Sequence, residues 1–536
     1  MTSPVSSRPS DCAWGAFDDV APWVLDPNNI SWEKQAIELR VSAQREVPVL
    51  TTPTRIPPVA RLVVVVWVLS KALVPWFVKK KLRPFATPED SRAYISLRMR
   101  KAVERLGSTY IKLGQIISSG EGLFPAELVN EFKLCRDQVP AIPFESVKKT
   151  IESELGKPLT EVFSYIDTTA LAAASIAQVH LATLITGEEV VVKVQRPTVS
   201  KMVRKDLRVM AWIAPHLVGR IKVSALANPP ALVELFAETI VEELDFRIEA
   251  SNMLDVAKML CELNQDRYII PRPHPTLATQ RVLVMQRLSG FKFDDVVGMK
   301  DAGIDTHAVI RTGMIAFMEG AMIEGIFHGD LHGGNLFVLS DGRTALLDFG
   351  IVGRLSPTRR VAFLRMLLGA TTNDVKGQVE ALRDLGALPL DVDVAQVISD
   401  LRLDQQTIDP TSLSGEELVK EVQRIVKALL GYGASMPKEL MLYVKNMVFL
   451  DGAIARLAPE LDILGEITAI SMLFAERHGE RLGRELGVDH TAIEINLDSV
   501  KTGVLGVDAS VNSLTYRDLQ ERRELIQKRM RDHVGR

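Results

Sequence analysis

The chain has 536 residues, 47% hydrophobic and 24% charged, which is ordinary globular usage and enough for one large or several ordinary domains. A net charge of -3 and a pI near 6.4 lack the basic excess of a dedicated nucleic-acid binder, so nucleic acid is not expected as a partner. Cys12, Cys135 and Cys261 lie far apart without a CxxC pair, which excludes a disulfide framework or zinc site and points to a reducing compartment.

In chain order, residues 1–60 carry many Pro and Ser with scattered Trp and are expected to be mostly irregular. No basic stretch followed by a continuous apolar run opens the chain, so no secretory signal is expected. The protein is placed in the cytoplasm, peripheral to the inner face of a membrane if it contacts one. The apolar part of residues 61–84, "RLVVVVWVLSKALVPWFVKKKLRP", is slightly short of a span, contains Lys71 and Pro75, and is flanked by Arg61, Lys79, Lys80, Lys81 and Arg83, so a full transmembrane helix is the less favoured reading. They suit a helix buried against the rest of the protein or a basic, Trp-bearing helix on a membrane surface, and the two readings are compatible. A helical pattern interrupted by Pro125, Pro140, Pro143 and Pro158 runs from 85 to about 165, so 61–165 is read as a helical extension.

Strand-like sequence follows. Residues 175–197 give two β-rich runs around Thr186-Gly187-Glu188, residues 231–262 a long helix, and "RVLVMQ" (281–286) another strand. A second hairpin lies within "NLFVLSDGRTALLDFG", where Asp341-Gly342 is expected to supply positive φ angles. Beyond residue 355 the pattern is almost wholly helical. The expected fold is α+β and bilobal, like a protein kinase: a small lobe over 166–290, a helix-rich large lobe over 291–480, and a helical tail over 481–536.

Phosphoryl transfer from ATP needs a cover over the phosphates, a fixed cation, magnesium ligands and a carboxylate near the attacking oxygen. Lys193 in "VVVKVQRP" sits where a kinase lysine sits. Asp348 of "DFG" and Asn335 offer the hard oxygens that magnesium prefers. Asp330 in "HGDLHGGN" is the candidate catalytic carboxylate, with His328 and His332 read as structural braces. Where a Gly-rich loop is expected, residues 170–180 read "ALAAASIAQVH". Ala172, Ala173, Ala174, Ser175 and Ile176 would then face the phosphates less freely, because a Cβ restricts φ. The same text would also suit an alanine-rich helix start. Met285, Gln286 and Leu288 are placed at the adenine edge.

Taken together, the Ala-rich loop, "STYIKLGQ" (108–115), "EELDFRIEASN" (242–252), "HGDLHGGN" and "DFG" resemble the UbiB/AarF family of atypical kinase-like proteins. "DQVPAIPFESVK" (137–148) and "MPKELMLYVKNMVFL" (436–450) extend the match, which covers roughly residues 100–475. The resemblance implies binding of ATP or ADP with Mg2+ and an association with isoprenoid-lipid and quinone biology, with a lipid or prenylated small molecule as partner. It also implies that the extension carries a K-x-G-Q motif, here Lys112, Gly114 and Gln115, covering the pocket where a protein substrate would bind. Glu243 and Asp245 match the E-x-D motif expected to meet it, and Glu249 is the candidate ion-pair partner of Lys193, with Glu243 the other option.

The chain departs from the family in having Leu331 and Gly333 where prolines are usual, and Gln286 where Glu is common. Its end, "SLTYRDLQERRELIQKRMRDHVGR", is too charged to span a bilayer. Two functions fit: a magnesium-dependent ATPase or small-molecule kinase in lipid or quinone metabolism, or a nucleotide-gated lipid-binding switch that phosphorylates nothing.

Overall fold

The computed structural model describes residues 22–23, 30–83, 85–118, 125–135, 140–218, 228–372, 374–401, 403, 429, 431–434, 437–487 and 513–534. The first helices are α1 (Glu33–Thr51), α2 (Val59–Leu82), α3 (Pro88–Leu106), α4 (Ser108–Ser118), α5 (Ala126–Lys133) and α6 (Phe144–Leu155). Then come β1 (Phe163–Ile166), β2 (Ala172–Ala173), β3 (Ala177–Leu184), β4 (Glu189–Gln195), α7 (Val199–Leu217), α8 (Pro229–Glu242) and α9 (Phe246–Glu262). β5 (Tyr268–Ile269), β6 (Pro273–Ala278), β7 (Val282–Gln286), β8 (Phe291–Lys292), α10 (Val296–Asp301) and α11 (Thr306–Glu319) follow. β9 (Ile326–His328), β10 (Leu336–Val338), β11 (Thr344–Leu346) and β12 (Val352–Arg354) precede a helical remainder. Its helices are α12 (Pro357–Thr372), α13 (Val375–Asp384), α14 (Val394–Leu401), α15 (Lys438–Leu457), α16 (Ile463–Leu486) and α17 (Tyr516–Val534). The fold is thus mixed α and β. It forms two compact units: residues 1–262, 268–289 and 345–351 in the first, and 263–267, 290–344 and 352–536 in the second.

In the first unit, an antiparallel sheet runs β1-β3-β4-β7-β6, with β2 on β3. Alternation along β4 buries Val190, Val192 and Val194 against Val147 and Ile151 of α6, and sends Val191 and Lys193 to the opposite face. That period of two is what presents Lys193 to the α9 side of the sheet, where Glu249 lies.

Within residues 1–60, expected to be mostly irregular, residues 33–51 form a helix. Residues 1–21 and 24–29 lie outside the described residues, but α1 is a regular helix that buries Ala36, Ala43, Val47 and Leu50. These apolar positions are diluted by charged neighbours, so the stripe is weak in the sequence and is completed by packing on α8 and α9. The expected single helix over 231–262 is also broken, into α8 and α9. Neither Pro nor Gly breaks it. Instead Asp245 Oδ1 accepts the Arg247 N–H (3.1 Å), and the Phe246 N–H donates to Gln280 O (3.1 Å), so α9 starts afresh.

Helix α2 buries only Val65, Val68 and Ala72, while Val59, Val63, Val66, Trp67, Phe77 and Leu82 are exposed. It is long and apolar enough to cross a membrane by length and composition. Pro75 removes the helical partner of the Lys71 carbonyl, and Arg98 of α3 supplies one, with Nη2 2.6 Å from Lys71 O and Nε 2.9 Å from Ala72 O. Arg61, one of the basic flanks, points inward: it forms a two-point ion pair with Asp206 of α7 and donates to Leu106 O (2.6 Å).

In the second unit, a π-helical turn over Gly320–Glu324 ends at Gly325, whose φ of 69° suits glycine, and the chain enters β9. β9 pairs with β12, where Gly353 lies under Phe327: a Cβ there would come within 2.3 Å of the ring. The turn over 339–343 differs from expectation in that only Gly342 has positive φ (82°). The Leu339 N–H bonds Arg343 O (2.8 Å), a longer loop than a two-residue turn.

Candidate functional site

Lys193 is the hub of the first unit. Its Nζ lies 2.7 Å from Glu249 Oε1 and 3.1 Å from Asp348 Oδ2, and 5.5 Å from the centre of the Phe246 ring. Glu249 side chain is 4% exposed and Lys193 12%, whereas Asp348 is 43% exposed. Burial pushes the Glu249 carboxyl up to about 7, against the pull of Lys193. Burial acts to lower the Lys193 ammonium, yet the carboxylates of Asp348 and Glu249 outweigh it and hold its pKa above the ordinary value. A permanently charged cation is therefore fixed beside an accessible carboxylate.

The "DFG" segment is anchored on the same side. Asp348 Oδ1 accepts the Gly350 N–H (2.9 Å), Phe349 is fully buried, and Asn252 of α9 donates to Phe349 O (2.9 Å). Arg40 of α1 reaches Asn252 Oδ1 (2.8 Å) and Asp255 (2.9 Å), so the unexpected helix α1 supports the residue that holds Phe349.

Lys112 of α4 pairs with Glu243 at 2.8 Å, both side chains being 12% exposed. The Cβ position of Gly350 lies 3.4 Å from Glu243 Cγ, which puts this pair next to "DFG". Asp245 pairs with Arg247 at 2.7 Å. Gly114 is buried among Val103 and Phe132, and Gln115 lies on the same short helix. The break between α8 and α9 thus separates two acids: Glu243 goes to Lys112, and Glu249 to Lys193.

The Ala-rich stretch is neither a helix start nor an open loop. Ala172 and Ala173 pair with Val179 and Gln178 in β2 and β3, and Ala174, Ser175 and Ile176 form the turn, closed by Ala174 N–H to Ala177 O (2.8 Å). Ser175 and Ile176 are buried, and Arg196 donates to Ala174 O (3.0 Å). Gln286 is buried at the end of β7 with its Oε1 accepting the Arg272 N–H (3.2 Å); Met285 is buried and Leu288 half-buried.

In the second unit, Asp330 N–H donates to His328 Nδ1 (3.1 Å), and Asn335 Nδ2 donates to Asp330 O (3.0 Å). His332 Nδ1 accepts from Gly334 N–H (3.1 Å). Both histidines thus serve the loop backbone. The carboxylate of Asp330 meets Lys445 of α15, and fully buried Asn446 accepts from Leu331 N–H (3.0 Å) and donates to His328 O. Lys445 and Asn446 fall in the quoted "MPKELMLYVKNMVFL" but had no assigned role: their partners lie more than a hundred residues away, and helical periodicity does not reveal them.

Among the described residues no group of three His, Cys, Asp or Glu could hold a metal ion. Magnesium does not require one, since it keeps waters and phosphate oxygens around one or two protein oxygens. In the first unit, the half-exposed Asp348 carboxylate is an oxygen of that kind.

A strand lysine ion-paired to a helical glutamate, a "DFG" carboxylate and an H-x-D…N loop define a kinase-like domain, which implies nucleotide binding. Residues 134–382 match the model of the ABC1 atypical kinase-like domain. An uncharacterized aarF-domain-containing chloroplastic protein kinase of Arabidopsis thaliana is 33% identical over 69% of this chain and 73% of its own length. An uncharacterized protein of Mycobacterium tuberculosis is 34% identical over 67% and 74%. A protein named as a probable protein kinase UbiB, from Marinobacter nauticus, is 30% identical over 73% and 70%. The chain belongs to the UbiB/AarF family of atypical kinase-like proteins. A solved complex of Rv3197 with erythromycin from Mycobacterium tuberculosis aligns at a TM-score of 0.38 and 22% identity, over 65% of this chain and 91% of that one.

Proposed function

We propose that this chain is an enzyme that binds ATP or ADP with magnesium and either hydrolyses ATP or phosphorylates a small molecule of isoprenoid-lipid or quinone metabolism, rather than proteins. The observation that carries the reading is Lys193 held between buried Glu249 and accessible Asp348. Lys193 would hold the α- and β-phosphates under the turn from Ala172 to Ile176, with the adenine beside Met285, Gln286 and Leu288. Asp348 and Asn335 would hold magnesium, which supplies charge neutralisation on the phosphate oxygens. An oxygen nucleophile attacks the γ-phosphorus, and a P–O bond forms as the bond to the β,γ-bridging oxygen breaks. ADP leaves with that electron pair, and the nucleophile's proton passes to Asp330 or to solvent.

The test is ATP turnover by the purified full chain, with and without anionic vesicles and a prenylated phenol. Magnesium-dependent hydrolysis or phenol phosphorylation, stimulated by either addition and without transfer to a general protein substrate, is expected. Turnover unaffected by either addition would contradict the lipid part of the reading, and no turnover would contradict the enzyme.

Lys112, Gly114, Gln115, Glu243 and Asp245 are assigned to gating. A largely desolvated ammonium persists only while paired, and Lys112 held by Glu243 would occupy space beside the nucleotide and bias its preferred state. Lys112→Ala is expected to change the ratio of ATP to ADP affinity at least about fivefold, as a coupling of ~1 kcal/mol gives. A change in melting temperature alone would make Lys112 a scaffold residue.

The same reading places α2 on an anionic membrane surface. Its apolar face is exposed, Lys79, Lys80 and Lys81 close its C-terminal turn, and Lys71 lies over the Trp67 ring at 3.6 Å. Each basic residue near such a surface contributes about 1 kcal/mol. Replacing Lys79, Lys80 and Lys81 by Gln should weaken vesicle binding roughly 100-fold at that rate, and salt should weaken the parent's binding. Binding insensitive to both makes the helix purely structural.

A further inference from the structure

The sequence around Asp330, Gly329-Asp330-Leu331-His332, contains no lysine or arginine, and His332 is engaged with the loop's own backbone. The cation instead comes from α15. Lys445 Nζ contacts Asp330 Oδ1, and both side chains are 19% exposed. The next residue, Asn446, is fully buried and binds the loop on both sides of Asp330, through Leu331 N–H and His328 O. Two residues before Lys445, Tyr443 is fixed between the rings of Phe317 (5.1 Å), Phe363 (4.7 Å) and Phe327 (6.0 Å). α15 therefore cannot slide or turn without dislodging a buried amide and an aromatic cluster.

We propose that Lys445 is the positioning residue of the catalytic loop: its ammonium fixes the rotamer and charge of the Asp330 carboxylate, while Asn446 fixes the loop backbone that carries it. The inference rests on the phosphoryl-transfer reading above. A buried amide with a donor and an acceptor role is a costly way to hold a helix, since losing either partner strands the other. The Lys445 side chain is only 19% exposed, so its ammonium is largely withdrawn from water and its charge is matched by Asp330. Together they specify the position of one carboxylate from a distant point of the chain.

The experiment uses the full chain with Lys445→Met, Lys445→Arg and Asp330→Asn. Misplacing a reacting group by about an ångström costs on the order of 10²-fold, so Lys445→Met is expected to lower kcat by roughly that factor with KM for MgATP within about twofold. Lys445→Arg, which keeps the cation, should recover most of the rate. A second readout does not depend on turnover: acetylation of Lys445 by N-hydroxysuccinimide acetate, followed by peptide mass spectrometry. Asp330→Asn should raise the Lys445 acetylation rate severalfold. Exposure of Lys445 in Asp330→Asn without any ATP turnover by the parent would support the ion pair and sink the enzymatic reading. A kcat within twofold of the parent in Lys445→Met, no rescue by Lys445→Arg, or unchanged acetylation would overturn the proposal.

Discussion

Asp348→Asn is expected to reduce ATP turnover by a factor on the order of 10²–10³, the usual cost of removing one preorganised electrostatic contact from a transition state. The substitution keeps the shape of the side chain and its acceptor oxygen for Gly350 N–H, but removes the charge that would bind magnesium and face Lys193. Lys193 remains paired with Glu249, so no buried cation is abandoned. At 43% exposure Asp348 is not a packing residue, and the melting temperature should stay nearly constant. Steady-state ATPase assays beside thermal melts check this. Full turnover in Asp348→Asn would remove Asp348 from the metal site, and a large drop in melting temperature would make the loss of activity structural.

The largest expected effect on stability lies away from the nucleotide. Asp206 is fully buried in α7, and burial pushes its carboxyl above the ordinary range while Arg61 pulls it down. Arg61→Met leaves that carboxylate unpaired, which costs about 3–5 kcal/mol. The unit should then melt roughly 10 °C lower, at ~2–4 °C per kcal/mol for domains of this size. The sign of the pH dependence follows from the raised carboxyl. Above the unfolded value the folded protein binds more protons, so the cost grows as pH rises through the folded value. Arg61→Met should therefore lose less stability in mild acid than at pH 8. Adding Asp206→Leu to Arg61→Met should restore much of the loss, because a well-packed apolar side chain replaces an isolated charge. Melting curves at two pH values decide it. A single variant as stable as the parent would mean that Arg61 is replaceable by water.

These two sites differ in how far the sequence revealed them. "EVVVKVQ" is a buried strand on its face, and alternation alone sends Lys193 opposite the valines. Asn335 stands out by following Asp330 at five residues, and Asp348 by following Asn335 at thirteen across a hairpin. The Arg61–Asp206 pair was not legible: Arg61 read as a basic flank of an apolar segment, and only packing of α2 beside α7 turns it inward. α1 is not legible because its apolar stripe is weak and its burial comes from tertiary contacts. The helix break at 243–245 is not legible because side-chain and long-range backbone bonds make it, with no Pro or Gly to announce it. Glu243 and Glu249 looked interchangeable in a run of acids, and that break is what sends one to Lys112 and the other to Lys193. The alanines of residues 172–174 gave their chemistry but not their conformation, since strand pairing with β3 overrides their helix propensity.

The central claim, that this kinase-like chain binds ATP through magnesium, is tested most directly by calorimetric titration of ATP into the full chain in excess magnesium and again in EDTA. Saturable binding that weakens by at least about tenfold in EDTA is predicted, since a metal held as proposed would neutralise the phosphates. No binding at millimolar ATP, or equal affinity with and without magnesium, would contradict it.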